Sequence, residues 1–164
     1  MKSILLDKTI HDRQQFDCGI AILNQYLQNM ASQQAVKDNA RTFVITDDMH
    51  AERIIGFYTL TMTTLDLSAL PEKLQKKHAS ATSAGLIARL AVDQNHQKQK
   101  LGEWLLLDAL YRLLAASETV AFPLVMVDAK DGARSFYQQY GFQAFQQHPD
   151  KLFITMSDIR ANLL

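Results

Sequence analysis

The chain has 164 residues, of which 48% are hydrophobic, so it is long enough to bury the core of one domain spanning residues 1–164. Its 17 basic side chains balance its 17 acidic ones, which excludes recognition of a nucleic acid by bulk charge. Any nucleic-acid partner would therefore have to bind at a local basic patch. The single cysteine excludes an internal disulfide, and the sequence shows neither a membrane-spanning run nor a signal peptide, so we expect a cytoplasmic protein.

The N-terminal part of the chain predicts a short strand followed by a helix. Residues 3–6 form the short strand-like run. The helix is predicted from apolar residues at helical spacing, which would pack on the core: Ile20, Leu23, Leu27 and Met30. Asp17 precedes this stripe and is the expected N-cap of the helix.

Lys37 and Arg41 lie four residues apart in the polar stretch that follows, and on a helix they would share one face. Such a pair belongs either to a solvated face or to a contact with nucleic acid, and the sequence leaves both open. Beyond it, the runs Thr42–Thr46 and Arg53–Met62 predict the two strands of a hairpin. Gly56 inside the second run indicates a bulge or a close approach of backbone.

The central stretch predicts a basic helix or turn and then the strand around which the fold is organised. The helix or turn surrounds Pro71 and has a basic end. This basic end contains three lysines: Lys73, Lys76 and Lys77. Leu86–Val92 is apolar apart from Arg89, which predicts a strand covered on both faces. Because Arg89 interrupts that strand, we expect its side chain to face a cleft or an acidic partner.

A polar turn separates this strand from a long helical pattern that starts at Leu101. Phosphates bind where a strand ends in a turn at a helix N-terminus, because the first N–H groups have no partner and the helix dipole favours an anion. Lys98 and Lys100 lie in the turn, and a bound pyrophosphate would offset their unfavourable position at the positive end of the helix. The alternative is a solvated turn before a core helix, and the residues leave both open.

The last third of the chain completes an α/β domain with mixed strand directions. Phe122–Ala129 predicts a strand, and Lys130–Tyr140 predicts a short helix with Phe136 and Tyr137 on its apolar side and Gly141 as its C-cap. The chain is then predicted to end in two paired strands and a closing turn, at Phe142–Gln146, Leu152–Met156 and residues 157–164. No His-Glu-x-x-His motif, cysteine pair or acidic cluster with metal spacing occurs, so we expect no metal site.

Three stretches of the chain follow one another in a specific order. They are Phe16-x-Cys18-Gly19 with Leu23 and Tyr26-Leu27, then Ala88–Asp93 with Gln97 and Leu101-Gly102, then Val127–Asp131 with Phe136–Phe142. Together they resemble the GNAT acetyltransferase superfamily, and more narrowly the toxin branch found in bacterial toxin–antitoxin pairs. The resemblance covers nearly the whole chain and implies the GNAT fold, a mixed twisted sheet of about six to seven strands flanked by helices.

The resemblance also implies acetyl-CoA as the co-substrate. Backbone groups of Leu90, Ala91 and Val92 would hold the acetyl carbonyl and the pantetheine arm, in a V opened between Leu86–Val92 and Leu124–Ala129. The pyrophosphate would lie on the turn that consists of Gln97, Lys98, Gln99, Lys100, Leu101 and Gly102.

This turn departs from the family pattern at two positions. Gln97 and Gly102 match, but Lys100 replaces the middle glycine, and Lys98 stands where the toxins usually have another glycine. Glycine at such positions lets the backbone approach the pyrophosphate with an unusual φ. Lys100 would therefore offer its N–H only at a negative φ. The departure implies either weaker binding or binding in which lysine charge replaces part of the backbone approach, and we expect binding to be retained.

In the family the amine attacks the thioester directly, so the protein supplies no nucleophile. Tyr140 is the matching general acid for the departing thiolate, since a phenol with an ordinary pKa of about 10 keeps its proton at neutral pH. The alternative for Tyr140 is a core aromatic beside Tyr137. Phe136 and Tyr137 are interpreted as walls of the acetyl-CoA site, and the residues identify no general base.

The toxin branch implies transfer of the acetyl group to the α-amino group of aminoacyl-tRNA, which blocks translation. The candidate substrate-binding patch consists of Lys37, Arg41, Lys73, Lys76, Lys77 and Arg89. The implied partners are a ribbon-helix-helix antitoxin and a second copy of the chain in a homodimer. Two alternatives stay open: an acetyltransferase for protein N-termini or small amines, and a degenerate GNAT-fold binding protein that cannot use acetyl-CoA.

Overall fold

The computed structural model describes residues 1–129 and 132–163. Its strands, numbered along the chain, are Ile4–Leu5 (β1), Arg41–Thr46 (β2), Ile54–Thr64 (β3), Ser83–Val92 (β4), Leu124–Asp128 (β5), Gln143–Phe145 (β6) and His148–Thr155 (β7). Its α-helices are Ala21–Gln25 (α1), Ala31–Val36 (α2), Glu72–Lys77 (α3), Leu101–Ser117 (α4), Arg134–Gln138 (α5) and Met156–Leu163 (α6). Strands and helices alternate along the chain largely in the order that the sequence predicts.

Among the described residues the strands form one seven-stranded sheet in the order β1-β2-β3-β4-β5-β7-β6. β2 pairs antiparallel with β1 and β3, and β7 pairs antiparallel with β5 and β6. β4 and β5 run parallel, with Gly85–Ile87 opposite Val125–Val127. The predicted mixed sheet is therefore confirmed, although β4 starts at Ser83, earlier than the predicted Leu86.

The chain forms two compact units, each with its own apolar core. The first unit consists of Met1–Thr61 and Ala88–Ala109, and the second of Met62–Ile87 and Leu110–Leu164. The first core contains Phe16, Cys18, Tyr26, Leu27, Ala31, Val44, Ile54, Phe57 and Ala91. The second core contains Leu65, Leu70, Ala84, Leu124, Phe145 and Phe153. The expectation of a single domain over residues 1–164 stays a prediction.

The predicted apolar stripe of the first helix is only half right. Leu27 is fully buried and Leu23 packs against the core of the first unit, but Ile20 and Met30 are 42% and 45% exposed. Tyr26–Met30 form a π-helical turn between α1 and α2. Its wider i→i+5 bonding rotates the following residues relative to an α-helix, so Met30 turns to solvent.

Gly56 marks a bulge, as its place in the strand predicts, but the close approach there is made by side chains and not by backbone. The register between β2 and β3 shifts beside it, from the Ile45–Gly56 pair to the Thr46–Ile54 pair. A Cβ atom at Gly56 would lie 2.9 Å from Leu105 Cδ1, so the Leu105 side chain would have to shift. Leu105 therefore packs over this part of β3 because the position carries no side chain.

The C-terminal segment ends in a helix instead of the predicted turn. α6 is anchored by Met156 and Ile159, which are both buried and lie three residues apart on one helical face. α5 is shorter than predicted, and Lys130 and Asp131 of the predicted helix lie outside the described residues. Gly141 follows α5 with a φ of 93°, the left-handed conformation expected where a helix stops. No helix among the described residues has the length and apolarity needed to cross a bilayer.

Candidate active site

The first unit contains the end of β4 and the turn that is predicted to bind pyrophosphate. Along the strand, Ala91 is buried while Leu90 and Val92 are half-buried. A 3-10 turn, Gln94–His96, comes next, and the exposed segment from Gln97 to Lys100 then leads into α4. Strand, polar turn and helix therefore follow one another as the sequence predicts.

Lys98 and Lys100 both adopt the left-handed backbone conformation, with φ angles of 64° and 61°. Lys100 therefore lacks the negative φ that the prediction required for its N–H to contact phosphate. The left-handed region costs a residue with a Cβ atom about 1–2 kcal/mol, whereas glycine enters it freely. The turn thus has the backbone shape for which glycine is suited, although lysines occupy it.

The first backbone N–H groups of α4 make no hydrogen bond within the described chain. Those of Leu101, Gly102 and Glu103 have no acceptor in the described part of the chain, and helical bonding begins where Trp104 N donates to Lys100 O at 3.1 Å. A turn that alternates left-handed and other residues points successive N–H groups into one concavity that suits an anion. Because the helix dipole adds to this, the turn and the start of α4 fit a pyrophosphate.

The N-terminal signature Phe16–Gly19 is bonded directly to this turn through Asp17. Asp17 Oδ1 accepts from Gly19 N at 2.8 Å and Asn24 Nδ2 at 2.9 Å, and its Oδ2 accepts from Gln94 Nε2 at 3.1 Å. The hydrogen bonds from Gly19 and then from Asn24 lower the pKa of Asp17 below its ordinary value. The predicted capping role of Asp17 is wrong, because the N-cap of α1 is Ile20.

Asp93 and Gln97 add further bonds between the signature and the turn. Asp93 is 2% exposed, and its Oδ1 accepts from Asp17 N at 3.2 Å. Gln97 Nε2 donates to Cys18 O at 3.2 Å and to Val92 O at 3.0 Å. Sequence reasoning missed Asp17 and Asp93 as positioning residues, since 76 positions separate them and no local pattern shows that the two side chains meet. Gln97 was predicted to meet phosphate, yet its amide N–H groups here hold the turn together.

The predicted aromatic site residues lie in the second unit. Tyr137 is buried, packs edge-to-face on Phe136 and Phe142 at 5.2 and 5.5 Å, and burial raises its pKa to about 12. Tyr140 lies just after α5, is half-buried, and its ring meets that of Phe136 at 5.5 Å. Tyr140 is the less enclosed of the two phenols, and burial makes Tyr137 a poorer acid than an ordinary phenol, which suits the predicted division into acid and wall.

Half of the predicted substrate patch lies in the first unit, and there its geometry differs from the prediction. Arg41 begins β2 and does not share a helix face with Lys37, which follows the end of α2. The Arg41 guanidinium instead bonds Asp38 Oδ1 at 2.5 Å and Ala35 O at 2.9 Å. Arg41 thereby closes the C-terminal end of α2, and only Lys37 of the pair extends into solvent without an ion pair in the described chain.

Arg89 contacts an aromatic ring, so of its two predicted surroundings, a cleft or an acidic partner, the described residues do not supply the acidic partner. Its Cζ lies 4.6 Å from the centre of the Tyr26 ring, a cation–π distance, and Nη1 donates to Ala88 O at 2.8 Å.

The other half of the patch, in the second unit, is the exposed basic face of α3. Of its lysines, Lys76 pairs with Glu72 at 3.4 Å.

The described residues provide no obvious nucleophile or metal centre. Burial raises the pKa of the Cys18 thiol, and its Sγ donates to Ile20 O at 3.6 Å, so the thiol stays protonated and unreactive. Within the described ranges, no three His, Cys, Asp or Glu side chains are grouped so that they could hold a metal ion.

The Acetyltransferase (GNAT) domain family matches residues 38–144. The chain belongs to this family. A tRNA-acetylating toxin from Mycobacterium tuberculosis is 31% identical over 147 residues, which cover 89% of this chain and 87% of that protein. The structure of AtaT complexed with acetyl-methionyl-tRNAfMet is 25% identical, with a TM-score of 0.87 over 98% of this chain and 97% of that one. AtaT bound to acetyl-CoA and the C-terminus of the antitoxin AtaR is 23% identical and shares the fold, with a TM-score of 0.81 over 98% and 96% of the two chains.

In this GNAT chain, replacing Lys98 and Lys100 by glycine is expected to stabilise the fold. Each change removes about 1–2 kcal/mol of left-handed strain, and the greater freedom of glycine in the unfolded chain takes back about 0.5–1 kcal/mol. The double variant should therefore gain about 1–2 kcal/mol in the free energy of unfolding, measured by denaturant titration. Gln147→Gly is the matched control, because Gln147 also has a left-handed φ, of 67°, but lies outside the turn. It shows how much stability is gained from relief of left-handed strain alone.

The same double variant tests how the lysines affect acetyl-CoA. Because the backbone already has the glycine-like shape, the change removes mainly two positive charges beside the phosphates. We expect an affinity within about tenfold of the original at low salt and a weaker salt dependence, measured by calorimetric titration at two salt concentrations. A gain of about a hundredfold or more would mean instead that the lysines block the site.

Proposed function

We propose that this chain transfers the acetyl group of acetyl-CoA to the α-amino group of an aminoacyl-tRNA in the cytoplasm and so stops translation. The observation that carries the proposal is the turn before α4, where left-handed Lys98 and Lys100 precede the N–H groups of Leu101 and Gly102. This geometry fits the pyrophosphate of acetyl-CoA. The name of the relative from Mycobacterium tuberculosis and the tRNA bound to AtaT support tRNA as the carrier of the accepting amine.

Acetyl-CoA supplies an acetyl group activated as a thioester, so the chain has only to position groups and move protons. We assign the alignment of the acetyl carbonyl to the backbone of Leu90, Ala91 and Val92. As the amine nitrogen bonds the carbonyl carbon, the carbon–sulfur bond breaks and water takes the proton that the nitrogen loses. Tyr140 gives its proton to the departing thiolate, and the resulting phenolate takes back the proton that water removed from the nitrogen. The buried thiol of Cys18 takes no part in this step.

The partners follow from the same reasoning. A toxin that stops translation has to be held inactive by an antitoxin, and AtaT, which shares the fold, is bound to the C-terminus of one. We propose an antitoxin of the ribbon-helix-helix type for this chain, and a homodimer as its oligomeric state. Sedimentation of the chain alone tests the homodimer, and sedimentation with its antitoxin tests whether the two form a complex.

Cell-free translation tests the proposed function. The purified chain should inhibit translation only when acetyl-CoA is present, and a non-hydrolysable analogue that lacks the thioester should not replace it. Inhibition without acetyl-CoA would indicate a degenerate binding protein. Full translation accompanied by acetylated protein N-termini would indicate the alternative acetyltransferase.

The lysines of α3 are expected to contribute to tRNA binding through phosphate contacts. Replacing Lys73, Lys76 and Lys77 by alanine should flatten the salt dependence of tRNA binding by up to about three units of slope and leave acetyl-CoA affinity unchanged. Because Lys76 already pairs with Glu72, Lys76→Ala alone should change the slope less than Lys73→Ala. Equal slopes in all variants would place the tRNA elsewhere.

A further inference from the structure

A pocket in the first unit belongs to none of the sites described so far. It has a volume of about 580 Å³ and is formed by the segment after β1 together with the π-helical turn and α2. Its lining residues are Lys8, Arg13, Gln28, Asn29, Ser32, Gln33, Val36 and Lys37. Lys37 alone among them was a predicted site residue, and the pocket gives it two cationic neighbours that sequence reasoning did not find.

The three cations of this pocket lack acidic partners. No Asp or Glu lies among the described lining residues, and none pairs with Lys8, Arg13 or Lys37 in the described part of the chain. The carboxylates nearest in sequence are occupied elsewhere. Asp7 accepts from Thr9 N at 2.9 Å, Asp12 accepts from Gln14 N at 3.0 Å, and Asp38 pairs with Arg41 at 2.5 Å. In a chain with no net charge, the pocket is therefore a local concentration of positive charge.

The remaining lining residues favour a phosphodiester over other anions. Apart from Val36, every lining residue is Arg, Lys, Ser, Asn or Gln. Side chains of these types contact the phosphates and sugars of nucleic acids. An acidic peptide would also need apolar contacts for its side chains, and Val36 alone provides little. The volume is large enough for a nucleotide-sized segment with its flanking phosphates.

We propose that this pocket binds backbone phosphates of the tRNA substrate through Lys8, Arg13 and Lys37. The choice of tRNA rests on the proposed function, whereas the phosphate chemistry rests on the lining residues. Each cation that neutralises a phosphate releases about one counterion, so the pocket adds up to about three units to the salt slope of binding. It acts as an anchoring contact and touches none of the reacting atoms.

The test compares two triple variants that remove the same charge. The pocket variant loses the three positive charges of the pocket through Lys8→Ala, Arg13→Ala and Lys37→Ala. The control variant loses two lysines and one arginine from exposed positions outside the pocket, through Lys2→Ala, Lys151→Ala and Arg160→Ala. Binding of deacylated tRNA is measured from low to moderate salt. The pocket variant should lose about two to three units of slope and the control variant less than about half a unit. Equal losses in the two variants would overturn the proposal.

Two competitors separate the possible sources of the anion. Inorganic phosphate should displace tRNA no better than sodium chloride of the same ionic strength, and polyglutamate of matched charge should displace it poorly. Efficient displacement by inorganic phosphate would make the pocket a small-anion site. Efficient displacement by polyglutamate would make it a peptide site, and either result would overturn the proposal.

Acetyl transfer distinguishes failure of this proposal from failure of the proposed function. The pocket variant should show a raised KM for aminoacyl-tRNA with kcat retained, because the pocket anchors and does not catalyse. If the original chain acetylates no aminoacyl-tRNA but the slope difference persists, the proposed function is wrong and the pocket still binds RNA. If transfer occurs but the two variants behave alike, the pocket proposal is wrong.

Discussion

Replacing Tyr140 by phenylalanine is expected to lower kcat by about 10²–10⁴-fold while the fold and the affinity for acetyl-CoA stay unchanged. The variant keeps the ring, which packs edge-to-face on Phe136 at 5.5 Å, and removes the hydroxyl proton that the departing thiolate needs. Steady-state kinetics with separate determination of kcat and KM measures the loss.

Tyr111→Phe provides the matched control for this prediction. Its hydroxyl donates to Leu163 O, so the control also loses one phenolic hydrogen bond in the second unit without touching the proposed chemistry. Its kcat should match that of the original chain. An unchanged kcat in the Tyr140 variant would assign the thiolate proton to another donor.

Replacing Asp17 by asparagine is expected to weaken acetyl-CoA binding by about tenfold or more, although Asp17 touches no part of the proposed cofactor site. Asparagine keeps one oxygen for the N–H of Gly19 and the side chain of Asn24. Its amide nitrogen would then face Gln94 Nε2, which now donates to Asp17 Oδ2 at 3.1 Å. The Gln94 amide then has to turn over to accept from it, and the charge-assisted bonds of the carboxylate become weaker neutral ones, so the turn is held less firmly. Calorimetric titration with acetyl-CoA measures the effect.

A compensating change separates positioning from general damage. Asp17→Asn combined with Gln94→Glu restores a donor–acceptor pair with reversed direction and should recover most of the affinity. Asp66→Asn is the control, since Asp66 makes similar bonds to Ser68 in the second unit and has a pKa lowered in the same direction. Failure of the double variant to recover, with the fold intact, would remove Asp17 from the support of the turn.

The depressed pKa of Asp17 also fixes the pH range of this support. A carboxyl whose pKa is lower in the folded chain stabilises it above the ordinary carboxyl pKa and loses this effect as the pH falls through the lowered value. The bonds from Gly19 and Asn24 lower that pKa, so acetyl-CoA binding should be insensitive to this group at neutral pH and should weaken only in acid.

The elements with a clear local pattern could be predicted from the sequence. The hairpin of β2 and β3 follows from two alternating runs, and a glycine inside the second run indicated its bulge. The strand–turn–helix around Lys98 and Lys100 was also placed correctly. Such features depend on neighbours in the sequence, which a pattern can record.

Features that depend on distant partners could not be predicted. The left-handed φ of Lys98 is unusual for lysine. A lysine in the sequence does not by itself indicate such a backbone conformation. The π-helical turn that exposes Met30 has no sequence signature. The bonds of Asp17 to Gln94 join residues 77 positions apart, so the role of the N-terminal signature emerges only in the folded chain.

The most direct test of the account is to incubate the chain with labelled acetyl-CoA and total charged tRNA, release the aminoacyl groups with base, and identify them by mass. The account predicts N-acetylated amino acids recovered from tRNA, with no label on deacylated tRNA. Label found only on protein N-termini or free amines, or no label on any aminoacyl group while acetyl-CoA binds normally, would contradict it.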